Sequence, residues 1–216
     1  MMVAYHGCYD LTYFGYAHFR MLEDPAWIAW RTLIVMSFVL LSGLSLALAQ
    51  DGSQRGTARR LAQLGGSALL VSAVTALLFG PRWIYFGVLH FFFAATLLTL
   101  PLRRRPGLLA LAGLAIFLAG WTLGWDAMNP RWINWIGFPS HKPLTEDYAP
   151  LAPWLGLLWM AFWAGCRFPE LAGPTQGPGT APPPVRAAAF LGRHSLAAYL
   201  LHQPCLFALI YLIRAA

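Results

Sequence analysis

Long apolar runs alternate with short polar and basic stretches along the whole chain. Seven runs are present, and several approach the roughly 20 residues that a helix needs to cross a bilayer. We therefore predict an all-α membrane bundle of about seven transmembrane helices, forming a single domain over residues 1–216. The predicted segments are about 2–18, 26–49, 61–79, 83–100, 107–125, 150–166 and 187–213.

Three features qualify this pattern. The first run starts without a charged lead-in, so we expect its helix to be shortened at the N-terminus. Residues 169–186 are rich in Pro and Gly and are predicted to form a flexible cytoplasmic linker without a fold of its own. Pro204 lies inside the last run and predicts a kink near Leu200, because proline cannot donate the backbone hydrogen bond there.

Composition agrees with a membrane protein. Only 11% of the residues are charged and 58% are hydrophobic, whereas soluble domains have roughly a quarter charged residues. The net charge of +7 comes from arginines between the apolar runs, so we expect a lipid bilayer and no nucleic acid as partner. The three cysteines lack metal-ligand spacing, and no metal is predicted.

The distribution of basic residues predicts the orientation. The loops after the second, fourth and sixth runs carry eight basic residues, and the other loops and ends carry five. The first set is Arg55, Arg59, Arg60, Arg103, Arg104, Arg105, Arg167 and Arg186, and the second is Arg20, Arg82, Arg131, Lys142 and Arg214. The positive-inside rule then predicts an inner-membrane protein with a cytoplasmic N-terminus, an outer C-terminus and an outer 126–149 loop.

Candidate chemistry begins in the first run. His6 and Asp10 are four residues apart, so a helix places both side chains on one face. Ionisable groups inside a membrane are costly and face the bundle interior, where they mark a functional site by default. The alternative is a polar pair that only fixes this helix to its neighbours.

Four further side chains are predicted to share the outer half of the membrane with this pair, at 1.5 Å of depth per residue. We interpret the six groups as a buried polar cavity open to the outside. Singly, each has a structural alternative, such as a counter-ion for Asp10 or a helix–helix hydrogen bond. The four residues are Arg31, His90, Asp147 and His202.

A second set of candidates lies on the predicted cytoplasmic side. Guanidinium groups bind phosphate oxygens in a bidentate manner, so a phosphate-bearing donor is one ligand for this set. The alternative is a positive anchor on anionic lipid. The residues are Arg103, Arg104, Arg105 and Arg193.

Five motifs occur in a set order: YHGCYDLTYFG, RTLIVMSFVLLSGLSLALA, FGVLHFF, DYAPLAPWLG and LGRHSLAAYLLHQP. Together they resemble the catalytic-domain family of heparan-alpha-glucosaminide N-acetyltransferase, although the basic lead-in of that family is absent here. The resemblance implies transfer of an acetyl or acyl group from cytoplasmic acetyl-CoA to an amino or hydroxyl sugar outside. It also implies a reactive histidine near the outer end of the first helix, for which His6 and His18 both compete.

A histidine held by a carboxylate can take the proton of the attacking amine or hydroxyl, or it can carry the acetyl group itself. Three other functions stay open at this point. They are O-acylation of an envelope glycan or lipid, transport through the polar layer, and haem binding by His90 and His202. The acceptor, the acyl group and the oligomeric state stay open as well.

Overall fold

A computed structural model describes residues 1–50, 52–172 and 182–215. Within these ranges it contains only helices and loops, which confirms the all-α prediction. The described ranges form eight α-helices: α1 Met2–Tyr13, α2 Pro25–Leu48, α3 Gln54–Phe79, α4 Val88–Thr99, α5 Pro106–Thr122, α6 Leu151–Arg167, α7 Pro183–Arg193 and α8 Ser195–Ala215.

The helix lengths support a membrane protein but do not confirm seven spans. In the described ranges, three helical stretches are long and apolar enough to cross a bilayer: Pro25–Leu48, Gln54–Arg82 and Ser195–Arg214. Two shorter apolar stretches are Val88–Leu102 and Pro106–Thr122. Leucine side chains on these helices face outward; Leu77, for example, is 87% exposed. Such apolar outer faces fit a lipid surrounding.

Two predicted helix boundaries are corrected by local capping. The first helix ends at Tyr13 rather than near residue 18, because Gly15 has a φ of 82°, which an α-helix cannot continue. The third helix begins at Gln54, seven residues before the predicted start. Ser53 caps it, since its Oγ accepts a hydrogen bond of 3.1 Å from the backbone N–H of Gly56.

The fourth helix begins at Val88 rather than near residue 83, because the preceding residues bond to the 126–149 loop instead. Thr145 Oγ1 donates to the Trp83 carbonyl at 2.8 Å, and Ala149 N–H donates to the Phe86 carbonyl at 3.2 Å. These hydrogen bonds fix the loop to the residues that precede the N-terminus of α4.

The C-terminal region also differs from the prediction. The single segment expected over 187–213 is two helices, α7 and α8, separated at His194. Helix α7 begins at Pro183, inside the predicted linker, which corrects the linker's C-terminal end. Residues 173–181 of that linker lie outside the described residues. Helix α8 continues through Pro204, and the kink near Leu200 stays a prediction.

The chain divides into two compact units, Met1–Val35 with Pro174–Ala216, and Met36–Gly173. In the first unit, α1 packs on α8. In the second unit, α6 forms the centre, with Leu158 and Phe162 buried. Trp159 Nε1 donates to Thr99 Oγ1 at 3.0 Å, so the indole is satisfied although it is buried.

Helices α5 and α6 approach each other through two glycines. A Cβ at Gly156 would lie 2.3 Å from the Gly113 carbonyl oxygen, and a Cβ at Gly113 would lie 2.8 Å from the Gly156 carbonyl oxygen. The obstacle is backbone on both sides. The two helices can therefore hold this spacing only while neither position carries a side chain.

We expect Gly156→Ala to lower the free energy of unfolding by about 1–3 kcal/mol, because the added methyl group must push the backbones apart. The control is Gly66→Ala on α3, where a Cβ meets nothing within 4 Å. That change should raise stability by up to about 1 kcal/mol, since alanine favours a helix. Thermal unfolding in detergent measures both, and a Gly156→Ala protein as stable as the parent would contradict the packing.

Candidate functional site

Helices α1 and α8 bring four polar side chains together, and we call these four the polar cluster: His6, Asp10, His202 and Gln203. Gln203 Nε2 donates to Asp10 Oδ1 at 2.6 Å. The His6 and His202 rings lie edge to face with centroids 4.9 Å apart. The predicted His6–Asp10 face of α1 thus meets two consecutive residues of α8.

The hydrogen bonding of His202 defines its tautomer. Its Nδ1 lies 2.5 Å from the Tyr199 carbonyl oxygen. A carbonyl oxygen only accepts, so Nδ1 must carry the hydrogen of this bond. In the neutral ring the lone pair is then on Nε2. His202 therefore presents a basic nitrogen on the side away from its own helix backbone.

Three buried atoms of the polar cluster have no hydrogen-bond partner among the described residues. They are Asp10 Oδ2, His202 Nε2 and Gln203 Oε1. Asp10 has no exposed surface at all. All three atoms are acceptors, and leaving a buried acceptor unpaired costs about 1–3 kcal/mol. The cluster is complementary to a group that brings several hydrogen-bond donors.

Aromatic rings surround one end of this cluster. Tyr5 is buried, and its ring contacts the rings of Trp27 at 5.9 Å and Trp30 at 5.6 Å between centroids. Tyr5 also contacts His6, again edge to face. Arg31 follows Trp30 on α2 and is partly buried. Its predicted part in binding an acceptor stays a prediction.

The second predicted histidine lies elsewhere in this unit. His18 is exposed in the loop between α1 and α2, where Arg20 and Glu23 form an exposed ion pair. Of the two competing histidines, the structure brings only His6 into the polar cluster.

In the other unit, His90 and Asp147 support the start of α4. Asp147 Oδ2 accepts from Val88 N–H at 2.8 Å. His90 Nδ1 accepts from Gly87 N–H at 3.3 Å, and its Nε2 lies 3.0 Å from Ser72 Oγ. Both ring nitrogens of His90 thus have partners, and the ring acts as a structural connection. The common membrane layer predicted for all six groups stays a prediction.

The 126–149 loop is held by a tyrosine–asparagine network that the sequence did not indicate. Asn134 is fully buried; its side-chain oxygen accepts from Tyr85 Oη at 3.0 Å and its carbonyl accepts from Tyr148 Oη at 2.7 Å. Burial raises the pKa of both tyrosines. Both phenols therefore remain protonated donors at ordinary pH.

The four predicted phosphate contacts differ in exposure. Arg103 is partly buried, and its Nη1 donates to the Gln50 carbonyl at 3.0 Å. Arg104 and Arg105 are exposed, as is Arg193 at the end of α7. Their assignment to a phosphate group stays a prediction. In the described ranges, no group of three His, Cys, Asp or Glu side chains is placed to hold a metal ion.

Sequence reasoning missed Gln203 because it considered ionisable residues only. The available signal was an uncharged polar residue beside His202 inside an apolar run, LLHQPCLF. A glutamine in such a run must find a partner within the protein, since lipid offers none.

Comparison with known proteins gives one result. The family model described as "Heparan-alpha-glucosaminide N-acetyltransferase, catalytic" matches residues 1–204. No curated protein and no solved structure matches the chain.

The Asp10–Gln203 bond leads to a stability prediction. Gln203→Leu should lower the free energy of unfolding by about 1.5–3 kcal/mol, because the buried carboxylate loses its donor. Asp10→Leu combined with Gln203→Leu should recover part of this loss, since replacing both partners leaves no orphaned group. Thermal unfolding of the parent, the two single variants and the double variant measures this double-mutant cycle. Exposed Gln63→Leu is the control. Simple additivity of the two single changes would contradict the bond.

The tyrosine–asparagine network predicts a pH dependence. Folding raises the pKa of Tyr148 above its unfolded value of about 10. Its contribution to stability is therefore present below about pH 10 and lost as the pH rises above that value. Tyr148→Phe should cost about 1 kcal/mol at neutral pH and should flatten the decline in unfolding temperature between about pH 9 and 11. Exposed Tyr16→Phe is the control, and equal declines in both variants would refute the assignment.

Proposed function

Because the chain belongs to the heparan-alpha-glucosaminide N-acetyltransferase catalytic-domain family, we propose that it moves an acetyl group from acetyl-CoA to an amino or hydroxyl group of a sugar. Family membership supports an acetyltransferase, and three helices long enough to span a bilayer support a membrane location. Acetyl-CoA as donor and a sugar as acceptor are the finer parts of the proposal.

The observation that carries the proposal is the set of three unpaired acceptors in the polar cluster. An amino group brings several N–H donors, and a sugar adds hydroxyl donors, so this acceptor class matches what Asp10, His202 and Gln203 offer. A ligand that only accepts hydrogen bonds would leave all three atoms unpaired. The cluster thus favours the acceptor sugar, rather than acetyl-CoA, as its ligand.

The reaction is a nucleophilic substitution at the thioester. The acceptor nitrogen attacks the thioester carbonyl carbon, a C–N bond forms, and the C–S bond breaks. The nitrogen loses one proton, which we assign to His202 Nε2, and the departing thiolate of coenzyme A then takes a proton to become a thiol. The products are the N-acetylated sugar and free coenzyme A.

His6 and Asp10 support this step from α1. His6 contacts the His202 ring, so it limits the orientations that the ring can adopt. Asp10 is fixed by Gln203 and offers its second oxygen to the acceptor. The route in which His6 carries the acetyl group as a covalent intermediate gives the same products. It differs in that an acetylated protein forms before the acceptor is added.

The proposed setting is the inner membrane, with the N-terminus cytoplasmic and the C-terminus outside. Acetyl-CoA would then enter from the cytoplasm, and the acceptor would be a sugar on the outer face. The orientation rests on the arginine distribution. Arg31 remains a proposed acceptor contact, whereas the part predicted for His90 and Asp147 stays a prediction, because both side chains are engaged at the start of α4.

The test is turnover by the purified 216-residue protein in detergent with acetyl-CoA and glucosamine, following coenzyme A and N-acetylglucosamine by mass spectrometry. His202→Ala should reduce acceptor-dependent release by about 10²–10⁴-fold, the range of general base catalysis. His6→Ala should reduce it less, because the His202 ring then loses only the contact that orients it. The control is His141→Ala, which removes an exposed histidine of the outer loop.

His18→Ala distinguishes the two histidines that the family resemblance left open. Loss of turnover in His18→Ala alone would place the reaction at the loop after α1. It would refute the proposed role of the polar cluster in catalysis. An acetylated parent protein before addition of glucosamine, absent in His6→Ala, would select the covalent route. A folded parent with neither turnover nor acetyl-CoA binding would overturn the transferase proposal and favour a transporter.

A further inference from the structure

Two tryptophans at the start of α2 form an aromatic surface in the first unit, and we call them the indole pair: Trp27 and Trp30. Their rings stack with centroids 5.3 Å apart and planes 24° apart. Phe19 of the preceding loop contacts Trp27 at 5.1 Å, and Tyr5 of α1 contacts both indoles edge-on. Because three other rings hold Trp27, a ligand that binds it does not have to order it first.

The indole pair is continuous with the polar cluster. The Tyr5 ring, which contacts both indoles, also meets the His6 ring edge to face at 5.9 Å. His6 in turn contacts the His202 ring at 4.9 Å. A single ring, Tyr5, thus connects the indole pair to the cluster, so one ligand can contact both.

Both indoles are partly buried and keep some accessible surface. In the part of the chain that the structure describes, neither indole N–H has a hydrogen-bond partner. Tryptophans that face outward elsewhere are far more exposed, such as Trp121 at 57% and Trp132 at 74%. The indole pair is therefore recessed, which fits a binding surface better than the aromatic belt of a membrane interface.

We propose that the indole pair binds the pyranose ring of the acceptor sugar, an inference that rests on the proposed function and names what holds its acceptor. A pyranose has a face of C–H groups and an edge of hydroxyl groups. The C–H face packs on an indole face, where the π electrons are negative. The free indole N–H groups can donate to hydroxyl oxygens at the edge. A simple amine has no such face, so the pair determines specificity for a sugar.

The experiment measures binding to the 216-residue protein in detergent by titration calorimetry, without acetyl-CoA. The probes are glucosamine and 2-aminoethanol, which has an amine and a hydroxyl group but no ring. We expect the parent to bind glucosamine about tenfold or more tightly than 2-aminoethanol, because only the sugar covers the indoles. This comparison needs no substitution, so it tests the proposal even where a variant does not fold.

Trp27→Leu and Trp30→Leu keep an apolar side chain but remove the π face. Each should weaken glucosamine binding by about tenfold and change 2-aminoethanol binding by less than about threefold. In turnover each should raise KM for glucosamine and leave kcat unchanged, because the ring is held equally in the ground and transition states. Trp27→Phe restores a ring face and should recover part of the loss. The matched control is Trp132→Leu, which removes an exposed indole of the 126–149 loop.

Three results would overturn the sugar surface. They are equal binding of the two probes by the parent, equal loss of both probes in the leucine variants, and no loss of glucosamine binding in either variant. The second would make the indoles mere supports of the cluster, and the third would assign them to lipid. Failure of the transferase itself is a separate result: a protein without turnover that still prefers glucosamine keeps the sugar surface, whereas turnover without that preference rejects it.

Discussion

The governing constraint in this protein is that lipid offers no hydrogen bonds, so every polar group at membrane depth must be satisfied within the protein. The helices meet this constraint locally where they can. Thr96 and Thr99 on α4 donate to carbonyls four residues earlier, at 2.7 and 2.6 Å, and Thr99 also accepts from Trp159. Against that background the three unpaired acceptors of the polar cluster are exceptions. Each of them is an acceptor, so only a group with hydrogen-bond donors can satisfy it.

Two histidines of this chain differ in how their ring nitrogens are hydrogen-bonded. His90 has partners for both ring nitrogens and connects α4 to Ser72 on α3. Its lone pair is already engaged, so it has no basic nitrogen to offer. His202 engages one nitrogen with its own helix backbone and leaves the other unpaired and buried. Hydrogen bonding therefore separates the two residues where composition and helix position do not.

Several features could be predicted from the sequence because they depend on local periodicity. The all-α class follows from the length of the apolar runs, and the shared face of His6 and Asp10 follows from helical spacing. What could not be predicted depends on contacts between distant residues or on single capping residues. Gln203 lies 193 positions from Asp10, and no local pattern pairs them. The start of α4 is set by the 126–149 loop, and the end of α1 by Gly15. Of three adjacent arginines, only contact with Gln50 distinguishes Arg103.

The polar groups of the chain thus fall into two complementary chemistries, each within its own unit. The three unpaired atoms of the polar cluster are all acceptors, so they suit an amine or a hydroxyl and disfavour a phosphate. The guanidinium groups of Arg60 and Arg103 in the other unit are positively charged donors, and each is held by a neutral acceptor. A guanidinium remains charged at any physiological pH while an imidazole does not, so the charge near Arg60 and Arg103 is constant, whereas the charge of the polar cluster can depend on pH.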